Sequence, residues 1–388
     1  MTAAAGVSHT VPAAAQQAIF TREGLVSPQV NADKSVTFRL YAPAADSVAV
    51  TGDFLPSSET DGWGTAALSE DEEGVWTLTV GPLESELYSY DFIVDGVRMT
   101  DPSNVHQMRD VRSMMSIFMV SGERGDLYSV NDVPHGTLSK VWYESESLGM
   151  RRRMTVYLPA GYGDALAGAG RRYPVLYLLH GMGGDEDAWP TLGRAAQILD
   201  NLIASGEAEP MIVVMPNGNA ALSSAPGEGP DGLYPPMTRP DKTMDGSFEA
   251  SFPEIIDYVD SHYRTERKPS GRAIAGLSMG GFHSYHISMQ YPGTFGYVGL
   301  FSAAVRDVEE DAYGIYADSD AKLERQFSDG VSLYYIAIGR DDFLYEDNVR
   351  LRQNLDAHGY PYEYHESDGG HIWRNWRIYL SGFLRRIF

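Results

Sequence analysis

Gly276, Leu277, Ser278, Met279 and Gly280 spell G-x-S-x-G. The apolar run from Arg272 to Ala275 precedes them, and Phe282, Tyr285, His286 and Met289 follow at helical spacing until Pro292-Gly293. Strand, tight turn and helix make a nucleophile elbow, in which glycines let a strained serine expose its hydroxyl. Ser278 is therefore the expected nucleophile, and the Met279 N–H, at the helix start, the expected donor to a developing oxyanion. A serine that only caps the helix is the alternative reading of the same pattern.

A serine hydroxyl needs a base, and the base needs an orienting acid. His283 and His286 lie on the helix after the elbow, His358 ends a helix beside Gly359, and His365 lies within a strand. His371 follows Asp368-Gly369-Gly370, a loop directly after a strand, and is the expected base. The apolar run Leu333 to Ile338 leads into Asp341 and Asp342. Asp342 is preferred as the acid, with Asp341 the alternative. A second oxyanion donor is expected from Leu179-His180-Gly181-Met182-Gly183-Gly184, where the Met182 N–H is favoured.

The elements that must position these groups alternate. Near-continuous apolar runs at Tyr173 to Leu179, Met211 to Met215, Tyr297 to Phe301 and Leu333 to Ile338 read as strands buried on both faces. Amphipathic helices at Leu192 to Ile203, Phe248 to Tyr263, Val349 to His358 and Trp373 to Phe388 separate them. Trp142 to Ser145 and Arg152 to Leu158 read as paired edge strands. This grammar predicts an α/β-hydrolase fold over residues 141–388, with a mostly parallel sheet. Before it, short alternating strands and turn signals over residues 21–122 predict a small immunoglobulin-like β-sandwich. Residues 123–140 read as a linker.

The chain has 388 residues, no cysteine and a formal net charge of −23, which argues against nucleic acid and anionic membranes as partners. Nothing in the spacing suggests a metal site or a phosphate loop, so no cofactor is expected. Residues 1–20 are alanine-rich and read either as a trimmed leader or as a disordered tail; a secreted or periplasmic location is the expectation.

Two resemblances add to this. Phe38 to Phe54, with Gly74-Val75-Trp76, Tyr88-Ser89-Tyr90 and Asp101-Pro102, resembles the early-set domain of carbohydrate-binding module family 48. That likeness makes Trp63, in a turn-rich loop, a possible sugar-stacking residue, whereas Trp76 on an alternating strand reads as core. His180 to Trp189, Met215-Pro216-Asn217-Gly218, Arg272 to Gly281 and Gly369 to Trp373 resemble the esterase D group, which includes carbohydrate esterase family 1, enterochelin esterases, S-formylglutathione hydrolase and the mycolyltransferases. The likeness implies a Ser278–Asp342–His371 triad and a substrate pocket in which Trp189, Asn217, Tyr234 and Trp373 take part. In the long Gly- and Pro-rich segment from Asn219 to Gly246, Tyr234, Pro235, Pro236 and Met237 are placed as a possible aryl wall.

The implied activity is removal of feruloyl or acetyl groups from xylan or its oligosaccharides through an acyl-enzyme. A siderophore esterase, or a glycan-binding protein with a vestigial hydrolase domain, are the alternatives. Because the triad and the oxyanion loop all lie after residue 178, a fragment starting near Val133 is expected to keep turnover on small esters. Oligomeric state is not legible.

Overall fold

The structure, a computed structural model, describes residues 25–57, 63–164, 170–230, 232–234, 236–305 and 314–388. The expectations for residues 1–20 and for Pro235 therefore lie outside the described residues.

The first part of the chain is a pair of antiparallel sheets. One has the order β1 (Gln29–Val30), β2 (Val36–Tyr41), β6 (Val75–Val80), β5 (Ser69–Glu70). The other runs β4 (Gly64–Ala67), β3 (Val48–Gly52), β7 (Glu86–Val94), β10 (Ser113–Val120), β9 (Gln107–Asp110), with β8 (Val97–Met99) also on β7. Alternating residues of both sheets, among them Val36, Phe38, Val50, Tyr90, Phe92 and Phe118, bury their side chains between them. Trp76 belongs to this core, its indole N–H donating to the Ala42 carbonyl at 3.0 Å.

The second part is built on an eight-stranded sheet of order β11 (Thr137–Ser145), β12 (Met150–Leu158), β14 (Ile212–Pro216), β13 (Val175–Leu179), β15 (Arg272–Leu277), β16 (Tyr297–Phe301), β17 (Leu333–Gly339), β18 (Glu363–Ser367). The β11/β12 and β12/β14 pairs are antiparallel and the remaining pairs parallel. Helices α2 (Ala188–Thr191), α3 (Ala195–Ser205), α4 (Ser247–His262), α5 (Met279–Gln290), α6 (Ser319–Asp329), α7 (Tyr345–His358) and α8 (Trp373–Leu384) complete it. Helix α6 is absent from the sequence reading because its polar composition leaves only Leu323 and Gln326 buried. One core cluster lies on each face of the sheet. This is the expected α/β-hydrolase architecture behind a β-sandwich.

The segment read as a linker is structured. Glu123–Tyr128 forms helix α1, and β11 already begins at Thr137. Helix α3 explains why: the amide of its half-buried Asn201 donates to the Leu127 carbonyl at 2.8 Å and the Ser129 carbonyl at 3.0 Å. The two parts share packing as well. Leu87 and Met108 of the sandwich join the core cluster that α3 and α8 form against the sheet. Arg377 of α8 reaches across to Glu86 at 3.1 Å, with both side chains buried.

Candidate active site

Ser278 stands at the junction of β15 and α5 with φ 53° and ψ −116°, a left-handed conformation that costs on the order of 1–3 kcal/mol and persists only where the surroundings impose it. Its N–H donates to the Phe301 carbonyl at 2.9 Å, and its carbonyl accepts from Ala304 N at 3.1 Å. The glycines are required by close approach. A Cβ on Gly276 would meet the Gly280 carbonyl group at 2.4 Å, and one on Gly280 would meet the Leu179 oxygen at 2.4 Å. The Ser278 side chain makes no cap hydrogen bond to α5, so the helix-capping alternative finds no support.

His371 follows β18 on a loop that lies against the end of β17. Gly339 permits this contact, since a Cβ there would meet the Gly369 oxygen at 2.0 Å. Asn375, buried in the first turn of α8, ties the loop down by donating to the Asp368 and Gly370 carbonyls at 3.1 and 2.9 Å. The imidazole Nδ1 faces both oxygens of Asp342, at 3.1 and 2.9 Å, so Nδ1 carries the proton and Nε2 is the basic nitrogen of the ring. Asp342 is 4% exposed and also accepts from Leu344 N at 2.9 Å, whereas Asp341 is exposed. Phe343 and Trp376 flank the ring at centroid distances of 4.6 and 4.9 Å.

Ser278 and His371 line one cavity of about 400 Å³, with Met182 and Met279 on its wall. Residues 181–184 form a turn closed by Gly184 N to Gly181 O at 3.1 Å, with Gly183 at φ 79°, the conformation a type II turn demands of its third residue. His180 fixes this turn, a role not seen in the sequence. Gly218 N donates to its Nε2 at 2.7 Å, which makes Nδ1 the donor to the Gly181 oxygen at 2.8 Å. Burial holds its pKa down to about 4, so the ring stays neutral and clamps the turn of residues 181–184 to the loop after β14.

The expected pocket residues divide. Trp373 lines the cavity. Trp189 does not present a face there: it is 1% exposed, its N–H donates to the Leu179 carbonyl at 2.9 Å, and its ring backs Trp373 edge-on. Asn217 is wholly buried scaffold, its amide donating to Glu186 at 2.9 Å. That carboxylate is also held by Arg153 at 2.6 Å, and Arg152 grips the Asn217 and Asn219 carbonyls at 2.7 and 2.8 Å. Tyr234 is bonded to the Ser224 carbonyl at 2.9 Å, outside the residues that line the cavity. For Trp189 and Asn217 the cause is the same, the satisfaction of buried polar groups within the loops that carry the site.

Sequence reasoning also missed the part that the sandwich takes in this cavity. Arg109, Asp110 and Val111, at the β9–β10 turn, line the cavity that holds Ser278 and His371. Trp63 is half-buried beneath the Arg98 guanidinium at 4.5 Å. It lines a cleft of about 610 Å³ between the sandwich and the esterase that also touches His371, Trp373 and Arg374. Among the described residues no group of three or more His, Asp or Glu side chains could hold a metal ion, and no helix is long and apolar enough to cross a membrane.

The comparisons with known proteins agree with this architecture. A profile of putative esterases matches residues 145–387, and one of carbohydrate-binding module 48 (isoamylase N-terminal domain) matches residues 26–106. An endo-1,4-beta-xylanase/feruloyl esterase of Xylanibacter ruminicola is 33% identical over 365 residues; the match covers 93% of this chain but 46% of that protein. A solved ferulic acid esterase is 27% identical with a TM-score of 0.51, over 65% of this chain and 97% of that one. The enterobactin esterase of Shigella flexneri has a TM-score of 0.63 at 16% identity, over 90% of this chain and 92% of that one, a likeness of fold that spans both parts. Since the esterase profile takes in more than half of the chain, the protein belongs to the putative esterase family, with the α/β-hydrolase fold and, in front of it, a domain that matches carbohydrate-binding module 48.

Proposed function

We propose that the protein hydrolyses feruloyl or acetyl esters on xylan or xylo-oligosaccharides, with Ser278, His371 and Asp342 as its triad. The observation that carries this reading is the strained Ser278 on the same cavity wall as a histidine whose Nδ1 is engaged by a buried carboxylate. Ser278 Oγ attacks the ester carbonyl while His371 Nε2 takes its proton. The N–H groups of Met279 and Met182 receive the oxyanion. His371 then returns the proton to the departing sugar hydroxyl, and water cleaves the acyl-enzyme by the same sequence. Asp342 holds the imidazole tautomer throughout.

The aromatic wall of Phe343, Trp373 and Trp376 suits a flat acyl group. The cleft towards Trp63, which opens on the same histidine, is the side on which a sugar leaving group would lie. The names of the Xylanibacter ruminicola relative and of the solved ferulic acid esterase support the feruloyl assignment. Polymeric xylan as the substrate supports the reading of a secreted or periplasmic enzyme. The enterobactin esterase likeness in both parts of the chain favours a second reading, catecholate trilactone hydrolysis. Against it stand the net charge of −23 and the fact that the one arginine among the described residues of the cavity wall, Arg109, is already paired with Asp185, so it is not left to offset an anionic ligand. Turnover should be measured on methyl ferulate, acetylated xylan and a catecholate trilactone. The account expects methyl ferulate or acetylated xylan to be cleaved far faster, and preference for the trilactone would overturn it.

A further inference from the structure

Strands β9 and β10 are joined by a tight turn, since Asp110 pairs with Ser113. Such turns favour Asn-Gly or Gly, because one or both central residues need positive φ. Here Val111 takes that position at φ 48°. A β-branched residue in the left-handed region is an outlier whose side chain must be in use. The contact that uses it is visible: the two Val111 methyls lie 2.8 and 2.9 Å from where a Cβ on Gly183 would stand. Val111 thus covers the glycine in the middle of the turn that carries Met182.

Its neighbour Arg109 takes hold of the segment that follows this turn. Arg109 Nη2 pairs with Asp185 Oδ2 at 2.5 Å, and the Asp185 side chain is 4% exposed. Asp185 Oδ1 in turn accepts from Asp187 N at 3.0 Å, at the start of α2. Arg109 Nη1 donates back to the Val111 carbonyl at 3.1 Å, which stiffens the turn it springs from. Asp110 lines the same cavity as Trp373, two residues after His371. Residues 109–111 lie outside both matched profiles, which cover 26–106 and 145–387.

We propose that Arg109 and Val111 are positioning residues of the esterase site, supplied by the sandwich: both fix the oxyanion turn from outside. The proposal rests on the reading of Met182 N–H as an oxyanion donor. It reverses the expectation drawn from chain order, because a donor misplaced by a fraction of an ångström fails small and large esters alike.

The test uses the full chain with Arg109→Ala, Arg109→Lys and Val111→Gly, beside wild type and Ser278→Ala. Active sites are titrated with a fluorophosphonate, kcat and KM are measured on methyl ferulate, and melting temperatures are recorded. Arg109→Ala and Val111→Gly should lower kcat per titrated site by roughly tenfold to a hundredfold, with KM changed by less than about threefold, since an oxyanion contact acts in the transition state. Arg109→Lys should recover part of the loss through its charge but not its fork geometry. The proposal is overturned if Arg109→Ala and Val111→Gly keep kcat per titrated site within about twofold of wild type, even where the melting temperature or the titratable fraction falls. Turnover by Ser278→Ala on the same ester would instead remove the site reading, and the proposal with it.

Discussion

The Asp342 carboxylate meets His371 Nδ1 with both oxygens, at 3.1 and 2.9 Å, while Asp341 beside it points its exposed side chain elsewhere. Leu344 N adds a further bond to Asp342 Oδ1, so the backbone of the loop selects which aspartate turns inward. Asp342→Asn should therefore reduce kcat on a small ester by roughly 10⁴, as loss of the orienting acid does elsewhere. Asp341→Asn should stay within about threefold of wild type, an exposed side chain being worth little. Kinetics of the two single variants check this, and a crippled Asp341→Asn with an active Asp342→Asn would reverse the assignment.

Acid should weaken the fold through its buried histidines. His286 is 1% exposed, has neither ring nitrogen hydrogen-bonded among the described residues, and is held down to about 3 by burial. Because that value lies below the ordinary 6.5, the unfolded chain binds the proton first, and stability present above about pH 6.5 drains away as the pH falls toward 3. His180, at about 4, acts in the same direction. Asp53, pushed up to about 6 by burial, acts oppositely across the same range, its contribution being lost as the pH rises through 6. Comparison with a variant isolates the histidine: His286→Leu should lose less melting temperature than wild type between about pH 7 and about pH 5. Identical losses would show that His286 does not carry the effect.

The sandwich and the esterase should unfold together. Arg377 and Glu86 are buried partners across the boundary, and Arg377 also donates to the Leu87 and Leu192 carbonyls at 3.0 Å. Arg377→Met leaves Glu86 buried beside a weaker partner, Arg124 at 3.5 Å. Breaking such a pair costs about 3–5 kcal/mol, and Glu86→Gln in the same chain should return part of it. Denaturant unfolding followed by fluorescence checks both statements. A loss below about 1 kcal/mol, or two separate transitions in wild type, would contradict the coupling.

The sequence disclosed what lies on single segments. Strand periodicity placed the sheet, the glycines around Ser278 marked the elbow, and chain order after β15 picked His371 and Asp342 from their rivals. It did not disclose what arises between distant segments. His180 fastens to Gly218 and Arg109 to Asp185, contacts that no local pattern encodes. For the same reason Trp189 looked available: its spacing from the oxyanion turn is visible, but the Leu179 carbonyl that draws its indole inward is not. The α1 segment looked like a linker because its six residues gain their stability from docking on Asn201 rather than from their own pattern.

The central claim is that Ser278 is the nucleophile of an acyl-enzyme cycle. Its most direct test is mass spectrometry of the full chain after brief exposure to a feruloyl ester with a good leaving group, quenched in acid. A feruloyl adduct should appear on the peptide that contains Ser278 and vanish in Ser278→Ala, which should melt like wild type and turn over slower by roughly 10⁶, the scale on which loss of a nucleophilic serine acts. An adduct on another residue, or appreciable turnover by a well-folded Ser278→Ala protein, would contradict the account.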